Sequence, residues 1–198
     1  MITRLIILTI CLLKAATLPA ETMDPDKLRP LIGKEEIASK VHEAATQIKR
    51  DFAGKDLVIV MVLKGSLCLV ADLIRELDLP LDVETVQCSS YGARGTERGE
   101  LQVIGAERLK IHNRDVLIVD DIFDSGHTMT TLLETLQKQN PRSLKSCVLL
   151  YKNDVPKITD YRPDYVLFDI DNLFVVGYGL DFKERYRGLS GVYVLEAP

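Results

Sequence analysis

The 198-residue chain lacks the features that mark several large classes of protein. Its four cysteines (Cys11, Cys68, Cys88 and Cys147) are far apart and form no C-x-x-C pair, which argues against a zinc site or a dense disulfide framework. Lys and Arg number 25 against 29 Asp and Glu, a formal net charge of −4 that leaves no broad basic surface for nucleic acid. With 46% apolar and 27% charged residues, the chain is not a collagen, a disordered tail or a polytopic membrane protein.

Two common nucleotide-binding signatures are missing as well. The sequence contains neither the P-loop pattern G-x-x-x-x-G-K-[ST] nor a G-x-G-x-x-G dinucleotide fingerprint. It also contains no internal repeat and no low-complexity linker. At roughly 100–200 residues per domain, the length therefore fits one domain with a short appendage.

What is present is an alternation of predicted helices and strands. The apolar residues of 35–50 have helical spacing, and residues 57–63 form a continuous apolar run, which is typical of a strand buried on both faces. The other predicted elements are a helix capped by Ser66 that runs through Leu77, a strand over Leu81–Cys88, a strand over Val116–Val119, a helix over Gly126–Gln139, and strands over Leu144–Leu150, Tyr165–Phe168 and Val192–Leu195. This order predicts an α/β fold with a parallel sheet, in which ligands bind at the carboxyl ends of the strands.

The residues that follow one buried strand carry most of the chemistry. Residues 116–129 read VLIVDDIFDSGHTM, so the strand runs directly into Asp120 and Asp121, and Asp124 follows three residues later. An acidic loop that merely caps a helix would explain one of these aspartates. It would not explain three, because clustered carboxylates repel one another. Paired aspartates beside a ligand suit either Mg²⁺ or the vicinal hydroxyls of a ribose.

The turn after these carboxylates is suited to a phosphate group. Gly126 allows a tight turn and a close approach of the backbone to a ligand. The amides of residues 125–128 stand at the start of a predicted helix, where backbone N–H groups have no partner within the helix. The hydroxyls of Ser125 and Thr128 add further donors, so the segment predicts a phosphate cradle beside the paired carboxylates.

Residues 116–128 resemble the phosphoribosyl-pyrophosphate (PRPP) motif of the type I phosphoribosyltransferases. In that family the motif reads four apolar strand residues, two acidic residues, two apolar residues and then Asp-Ser/Thr-Gly-x-Thr. The match is complete in pattern. It identifies the superfamily but not the nucleobase.

Other motifs, in the same order along the chain, resemble the hypoxanthine-guanine branch of that family. Leu63-Lys64-Gly65-Ser66 is similar to its pyrophosphate loop, and Ser90-Tyr91 is similar to the head of its closing lid, here the glycine-rich segment 89–99. The spacing is also similar for Lys152, Phe174, Val175, Asp181 and Arg187. The resemblance covers residues 23–198 and implies a parallel-sheet type I phosphoribosyltransferase core with flanking helices and a small hood built from residues near both ends.

On the ribose and phosphate side, the resemblance implies a role for each matching residue. Asp124 is the expected catalytic acid/base facing purine N7, and Asp120 and Asp121 are expected at the ribose hydroxyls or their Mg²⁺ shell. The substrate-binding loop comprises Ile122, Phe123, Asp124, Ser125, Gly126, His127 and Thr128, with residues 125–128 on the 5′-phosphate. His127 occupies the variable position of this loop, and we expect it to contribute only its backbone amide.

On the purine side, the resemblance implies that Lys152 donates to the 6-oxo group, that Phe174 stacks on the base and that the Val175 backbone contacts its edge. Each side chain also has a simpler explanation when it is considered alone. Lys152 would be a surface lysine and Phe174 a core residue. Tyr178, which follows them, is expected in the core or in an interface.

On the pyrophosphate side, the resemblance implies that Lys64 and Arg187 face the leaving group and that Asp181 holds a second Mg²⁺ through water. Considered alone, Asp181 and Arg187 would be solvated surface charges. The resemblance leaves open whether the peptide bond before Lys64 is cis.

The implied reaction is the Mg²⁺-dependent transfer of 5-phosphoribosyl from PRPP to N9 of hypoxanthine or guanine, which gives IMP or GMP and pyrophosphate in purine salvage. An adenine enzyme would have no use for Lys152, because the lysine amine and a 6-amino group are both donors. Xanthine ranks last, since no donor for its 2-oxo group is apparent. The alternative is a PRPP-binding regulatory protein of the same fold without catalysis. We expect small-molecule partners, no nucleic acid, no membrane, and a homodimer or homotetramer.

Residues 1–22 do not fit the rest of the chain. Residues 5–13 (LIILTICLL) follow Arg4 and precede Lys14, as in a signal peptide, but are too few to span a bilayer, which needs about 20 apolar residues. The alternative, which we favour because PRPP chemistry needs an intracellular substrate, is a start codon placed too early, with Met23 as the true start. The expected phosphoribosyltransferase domain is then residues 23–198, in the cytoplasm, where thiols stay reduced.

Overall fold

The structure is a computed structural model that describes residues 28–90 and 101–196. In chain order its elements are β1 (Leu28–Ile32), α1 (Lys34–Asp51), β2 (Leu57–Leu63), α2 (Leu67–Leu77), β3 (Asp82–Ser90), β4 (Leu101–Ile104), a short 3₁₀ helix (Ala106–Arg108), β5 (Asp115–Phe123), α3 (His127–Gln137), β6 (Ser143–Lys152), β7 (Tyr165–Ile170), β8 (Val175–Val176) and β9 (Val192–Leu195). The predicted alternation of strands and helices is confirmed, and β1, β4 and β8 are strands that the sequence pattern did not predict.

The main sheet has six strands in the order β4-β3-β2-β5-β6-β7. Five of them run parallel, as predicted, whereas β4 pairs antiparallel with β3. The strand order proceeds outward from β2 in one direction and from β5 in the other, so it reverses between these two strands. A parallel sheet opens a crevice at such a reversal, outside the carboxyl ends of the strands.

Side chains of the central strands alternate between two hydrophobic cores. In β2, Leu57 and Ile59 face the core that α1 and α2 cover, while Val58 and Val60 face the core that α3 covers. All four side chains are buried. This two-sided burial is the reason that the sequence of β2 is a continuous apolar run rather than an alternating one.

A second sheet of three antiparallel strands, in the order β1-β9-β8, joins the two ends of the described chain. It corresponds to the expected hood, and Val192–Leu195 forms its central strand. The sheet is anchored because Ile32, Val175 and Val194 are buried in the same core as α1 and α2. The small sheet therefore shares a hydrophobic core with the main sheet.

Two helix starts differ in detail from the prediction. Ser66 does precede α2, but its buried hydroxyl donates to the Val62 carbonyl at 2.6 Å and makes no capping bond to the helix. The expected cap is therefore wrong, and the side chain ties the helix start back to β2. Helix α3 begins after Gly126, whose φ of 90° is left-handed, and ends at Gln137, inside the predicted limits.

A charged cluster lies at the amino edge of the main sheet, opposite the crevice. The Arg114 guanidinium contacts both carboxylate oxygens of Asp56, at 2.8 and 2.6 Å, and one of Asp82, at 2.7 Å. Asp56 precedes β2, Asp82 begins β3 and Arg114 precedes β5, so one side chain joins the starts of three neighbouring strands. The hydrogen bonds from this guanidinium hold the pKa of Asp56 below its ordinary value.

The three cysteines among the described residues are free thiols. Cys147 is buried, and Cys68 and Cys88 are half-buried. Burial raises the pKa of Cys147 to about 12, and burial together with the charge of Asp120 raises the pKa of Cys88 to about 12. Both thiols are therefore protonated near neutral pH, so they are poor nucleophiles.

Several expectations lie outside the described residues: the 1–22 extension with Cys11, the start at Met23, Tyr91, and residues 91–99 of the expected lid. Within residues 28–90 and 101–196, none of the helices has the length and apolar character needed to cross a membrane.

Candidate active site

The carboxyl ends of β2, β5 and β6 bring three predicted segments to one crevice. β2 ends directly before Lys64, β5 carries Asp120 and Asp121 near its end, and β6 ends at Lys152. The three strands are adjacent and parallel, so their ends lie at one edge of the sheet. The strand order reverses between β2 and β5, so the crevice lies where ligands bind in folds of this kind.

The paired carboxylates lie at the base of this crevice. Asp120 is buried and accepts a hydrogen bond from the Asp121 N–H at 2.9 Å, and Asp121 accepts one from the Ile122 N–H at 2.8 Å. Burial, reinforced by the neighbouring charge of Asp121, raises the pKa of Asp120 well above its ordinary value. Burial also raises the pKa of Asp121. Such a pair is poised to accept hydroxyl donors or a cation.

Two glycines let three loops meet at the base of the crevice. A Cβ atom at Gly65 would lie 1.6 Å from Oδ2 of Asp121, and one at Gly179 would lie 2.1 Å from the Gly65 carbonyl oxygen. Any side chain at either position would displace its neighbour. The peptide bond between Leu63 and Lys64 is cis, which answers the question that the sequence left open.

The predicted phosphate loop lines a pocket of its own, formed by residues 122–129. The loop turns at Gly126, where a Cβ atom would lie 2.7 Å from Cγ2 of Thr159 and 2.9 Å from Cζ of Phe123. The positive φ and the missing space both require glycine there. Thr159 had no role in the sequence interpretation.

The helix that follows the loop presents its amino end to the pocket. The Thr130 N–H makes the first bond within α3, to the Gly126 carbonyl at 2.9 Å, so the amides of residues 127–129 precede the helical ladder. The Ser125 carbonyl accepts a bond from the Ile158 N–H at 3.0 Å, which fixes the other side of the loop. A helix amino end with such amides favours an anion.

Asp124 is exposed on the wall of this pocket. Among the residues that the structure describes, none engages its carboxylate in a hydrogen bond or ion pair. Its oxygens are therefore available to a bound molecule, in contrast to those of Asp120 and Asp121.

Lys152, Asn172 and Phe174 lie on the side of the crevice that was predicted to hold a base. The Lys152 ammonium donates to Oδ1 of Asn172 at 3.3 Å, a partner that the sequence interpretation did not include. Phe174 is 53% exposed, so the core explanation for it is wrong. Its ring meets that of Phe182 edge to face at 5.7 Å between centroids, a contact that restricts the position of the ring.

Backbone direction places Val175 appropriately for an edge contact. The Phe174 carbonyl accepts a bond from the Leu195 N–H of β9 at 3.0 Å, so it points into the small sheet. Successive residues of a strand direct their backbone groups to opposite sides, so the N–H and C=O of Val175 point to the outer edge of β8. The Val175 side chain itself is buried.

The residues that were predicted to face pyrophosphate form an ion-pair network and are not separate solvated charges. Nη2 of Arg187 lies 2.8 Å from Oδ1 of Asp181, and Nη1 donates to the Gly179 carbonyl at 2.7 Å. Glu184 joins this pair, with Oε2 at 3.4 Å from Nη2 of Arg187 and 3.0 Å from Nζ of Lys64. The Asp181 and Arg187 side chains are only 30% and 24% exposed, so the surface-charge explanation for them is wrong.

Tyr178 lies in the core, which was one of the two locations expected for it. It is buried, and its hydroxyl donates to Oδ2 of Asp72 at 2.7 Å.

An aromatic stack includes Phe123 of the phosphate loop. The rings of Phe123 and Tyr151 are stacked at 5.2 Å between centroids, and the Arg162 guanidinium lies 4.1 Å from the Tyr151 centroid. Lys157 lies over the same ring and donates to the Lys152 carbonyl. This stack links the end of β5 to the end of β6, and no motif pointed to Lys157 or Arg162 as part of the site.

For Ser90, only the backbone in β3 is described, and nothing is concluded about its side chain. No group of three or more His, Cys, Asp or Glu side chains suited to hold a metal unaided occurs within 28–90 and 101–196.

Comparison with known proteins agrees with this geometry. Residues 32–183 match the family model described as phosphoribosyl transferase domain. The hypoxanthine-guanine phosphoribosyltransferase of Mycobacterium tuberculosis is 40% identical over 183 residues, which are 89% of this chain and 90% of that protein. The protein of the same name from Dictyostelium discoideum is 41% identical over 160 residues, which are 79% of this chain and 88% of that one. A crystal structure of a hypoxanthine phosphoribosyltransferase from Staphylococcus aureus has a TM-score of 0.79 and 37% identity, covering 87% of this chain and 94% of the other.

Proposed function

The chain belongs to the phosphoribosyltransferase family, and we propose that it transfers 5-phosphoribosyl from PRPP to N9 of hypoxanthine or guanine, releasing pyrophosphate, in purine salvage. The enzyme is thus a pentosyltransferase that forms IMP or GMP. The observation that carries the proposal is one shared crevice: the 122–129 pocket, the Asp120–Asp121 pair and Lys152 stand at the ends of adjacent strands.

The 5′-phosphate would bind where the amides of α3 and the Gly126 turn meet. Its negative charge is favoured there by the helix amino end. The hydroxyls of the ribose would face Asp120, which is buried, and Asp121, which is half-buried, and would donate hydrogen bonds to their carboxylates.

The base would bind between Lys152 and Phe174. The lysine ammonium donates only, so it pairs with a 6-oxo group and rejects a 6-amino group. The exposed Phe174 ring offers a face for stacking, and the outward backbone of Val175 can meet the edge of the ring system. This arrangement favours 6-oxopurines, with hypoxanthine first, guanine next and xanthine last.

Mg²⁺ is the cofactor that we propose, and the residues fit it. Mg²⁺ is bound by one or two carboxylates together with substrate oxygens and waters, which agrees with the adjacent carboxylates of buried Asp120 and half-buried Asp121. Asp181 already binds Arg187 and the Glu184 N–H, so it would hold a second ion through water. When bound, Mg²⁺ would neutralise charge on the leaving pyrophosphate.

Transfer requires the ribose to pass through a cation-like state while negative charge grows on pyrophosphate. The carboxylates of Asp120, Asp121 and Asp124 would stabilise the positive side, and Lys64 and Arg187 the negative side. Asp124 would take up or supply the proton at purine N7, which is typically worth about 10²–10⁴-fold in rate. Within residues 28–90 and 101–196 its carboxylate has no hydrogen-bond or ion-pair partner, which suits this exchange.

Water must be excluded, since PRPP would otherwise be hydrolysed. We propose that segment 89–99, headed by Ser90 and Tyr91, closes over the crevice. We further propose a homodimer or homotetramer in the cytoplasm, with the PRPP-binding regulator as the alternative function.

A spectrophotometric assay of the full chain with PRPP and Mg²⁺ tests the proposal. Hypoxanthine, guanine, xanthine and adenine are offered separately, and Asp124→Asn is compared with Asp160→Asn, an exposed aspartate elsewhere. We expect conversion of 6-oxopurines that falls about 10²–10⁴-fold in Asp124→Asn and is unchanged in the control. If the chain binds PRPP but converts none of the four bases, the catalytic function is wrong and the PRPP-binding regulator becomes the favoured function.

A further inference from the structure

Glu184 binds both cations that the proposed function assigns to pyrophosphate. Its Oε2 lies 3.0 Å from Nζ of Lys64 and 3.4 Å from Nη2 of Arg187. Lys64 and Glu184 are 120 residues apart in the chain, so their contact depends on the tertiary fold. One carboxylate oxygen therefore stands between two positive groups, which is the place an oxygen of a diphosphate would take.

The backbone around Glu184 is held in an unusual form that directs the side chain to this place. Lys183, Glu184 and Tyr186 have φ values of 52°, 63° and 72°. These values lie in the left-handed region, which residues other than glycine rarely adopt. The Glu184 N–H donates to Oδ2 of Asp181 at 2.8 Å, which fixes the turn. Asp181 thus binds the Glu184 backbone with one oxygen and Arg187 with the other.

Charge balance explains why a carboxylate is needed there. The Lys64 side chain is 57% exposed and the Arg187 side chain 24% exposed. Without a counter-charge, the two cations would repel each other across the open crevice. The ion pairs lower the pKa of Glu184, with the Lys64 hydrogen bond as the largest cause, so its carboxylate stays ionised near neutral pH.

We infer that Glu184 is an internal stand-in for pyrophosphate: it pairs Lys64 and Arg187 when the crevice is free, and the diphosphate group displaces it on binding. The inference rests on the proposed function, because it takes the leaving group to lie at these two cations. It makes Glu184 a positioning residue that competes with the ligand. Bound pyrophosphate is thereby held less tightly and leaves more readily after transfer.

The test measures binding of inorganic pyrophosphate, with Mg²⁺ present, to the full chain by calorimetry. The variant is Glu184→Gln, which removes the charge and keeps the shape. The matched control is Glu43→Gln, which removes the same charge from an exposed ion pair with Lys40 in α1. Glu184→Asp, which keeps the charge on a shorter arm, is the second variant. Thermal melting confirms that each variant is folded.

Glu184→Gln is expected to bind pyrophosphate about three- to tenfold more tightly than the wild type, as befits the loss of one competing exposed charge. Its inhibition constant for pyrophosphate in the transfer assay should fall by the same factor. Glu43→Gln should match the wild type, and Glu184→Asp should bind less tightly than Glu184→Gln.

Unchanged or weaker pyrophosphate binding by folded Glu184→Gln, with normal binding by the wild type, would overturn the inference and leave the proposed function intact. If neither the wild type nor Glu43→Gln binds pyrophosphate, the pyrophosphate site of the proposed function is wrong, and the inference falls with it.

Discussion

The carboxylate of Asp121 fills the space that a side chain at Gly65 would need. A Cβ atom at position 65 would lie 1.6 Å from Oδ2 and 2.4 Å from Cγ of Asp121. The loop after β2 and the end of β5 are thus in direct contact. The Asp121 carboxylate can occupy its position because Gly65 has no side chain.

Gly65→Ala should therefore lower activity by about 10²-fold. The new methyl group must push Asp121 or its own loop aside, and a misplacement of about 1 Å in an active site can cost about 10²-fold in rate. The measurement is kcat/KM for PRPP. Gly188→Ala is the matched control, because a Cβ atom at Gly188 would meet nothing within 4 Å. Wild-type activity in Gly65→Ala would show that the Asp121 position is not set by this contact.

Asp120→Asn should make the protein more stable at neutral pH while impairing catalysis. Burial raises the pKa of Asp120, so its ionised form opposes folding above that raised pKa. The amide of Asn keeps an acceptor for the Asp121 N–H and carries no charge. We expect Tm to rise at pH 8, where a gain of about 1 kcal/mol corresponds to about 2–4 °C in a chain of this size.

The pH dependence of that gain has a definite sign. The cost of the buried charge is complete above the raised pKa and is lost as pH falls from that value towards the ordinary aspartate pKa of about 3.9, so the Tm difference between Asp120→Asn and wild type should shrink as pH falls through that range. Exposed Asp160→Asn should leave Tm unchanged throughout. A difference that is constant with pH, or a less stable Asp120→Asn, would contradict the buried-charge explanation.

Lys152→Met should impair use of the base selectively. The variant keeps the length of the side chain and loses the donor to the 6-oxo group, and a hydrogen bond from a charged donor is worth about 10- to 100-fold. Steady-state kinetics should show that fall in kcat/KM for hypoxanthine and guanine, with the KM for PRPP unchanged. Lys138→Met, on an exposed lysine just after α3, is the control. An equal loss for the base and for PRPP would assign Lys152 a structural role.

The sequence predicted those parts of the structure that are determined by residues close together in the chain. The apolar run of β2 predicts a strand because a strand buried on both faces needs it, and residues 116–128 predict their own turn because each residue type has a local reason. The order of strands in the sheet and the antiparallel β4 depend on pairing between distant segments. No local pattern contains that information.

Partners within the site were missed for the same reason. Asn172 beside Lys152 and Glu184 beside Lys64 are unremarkable polar residues until the fold brings them together. Ser66 shows the converse error: the residue type fitted a helix cap, but the carbonyl of Val62 was the nearer partner for its hydroxyl.

Arg114→Met should destabilise the fold without affecting the crevice. The guanidinium joins Asp56 and Asp82 at the amino edge of the sheet, and its loss leaves two carboxylates facing each other at the starts of adjacent strands. Tm should fall at pH 7, while kcat/KM of the folded enzyme stays at the wild-type value. Arg108→Met is the control: within the part of the chain that the structure describes, this cation pairs only with its exposed neighbour Glu107, so its loss should be close to neutral.

Acid should remove the difference between Arg114→Met and wild type. The guanidinium lowers the pKa of Asp56, so the stabilisation is complete above the ordinary pKa of an aspartate, about 3.9, and is lost as pH falls through the lowered value. The Tm gap should therefore be constant from pH 7 to pH 5 and narrow below about pH 4. A gap that narrows instead as pH rises from 5 to 8 would mean that a group other than Asp56 accounts for the stabilisation by Arg114.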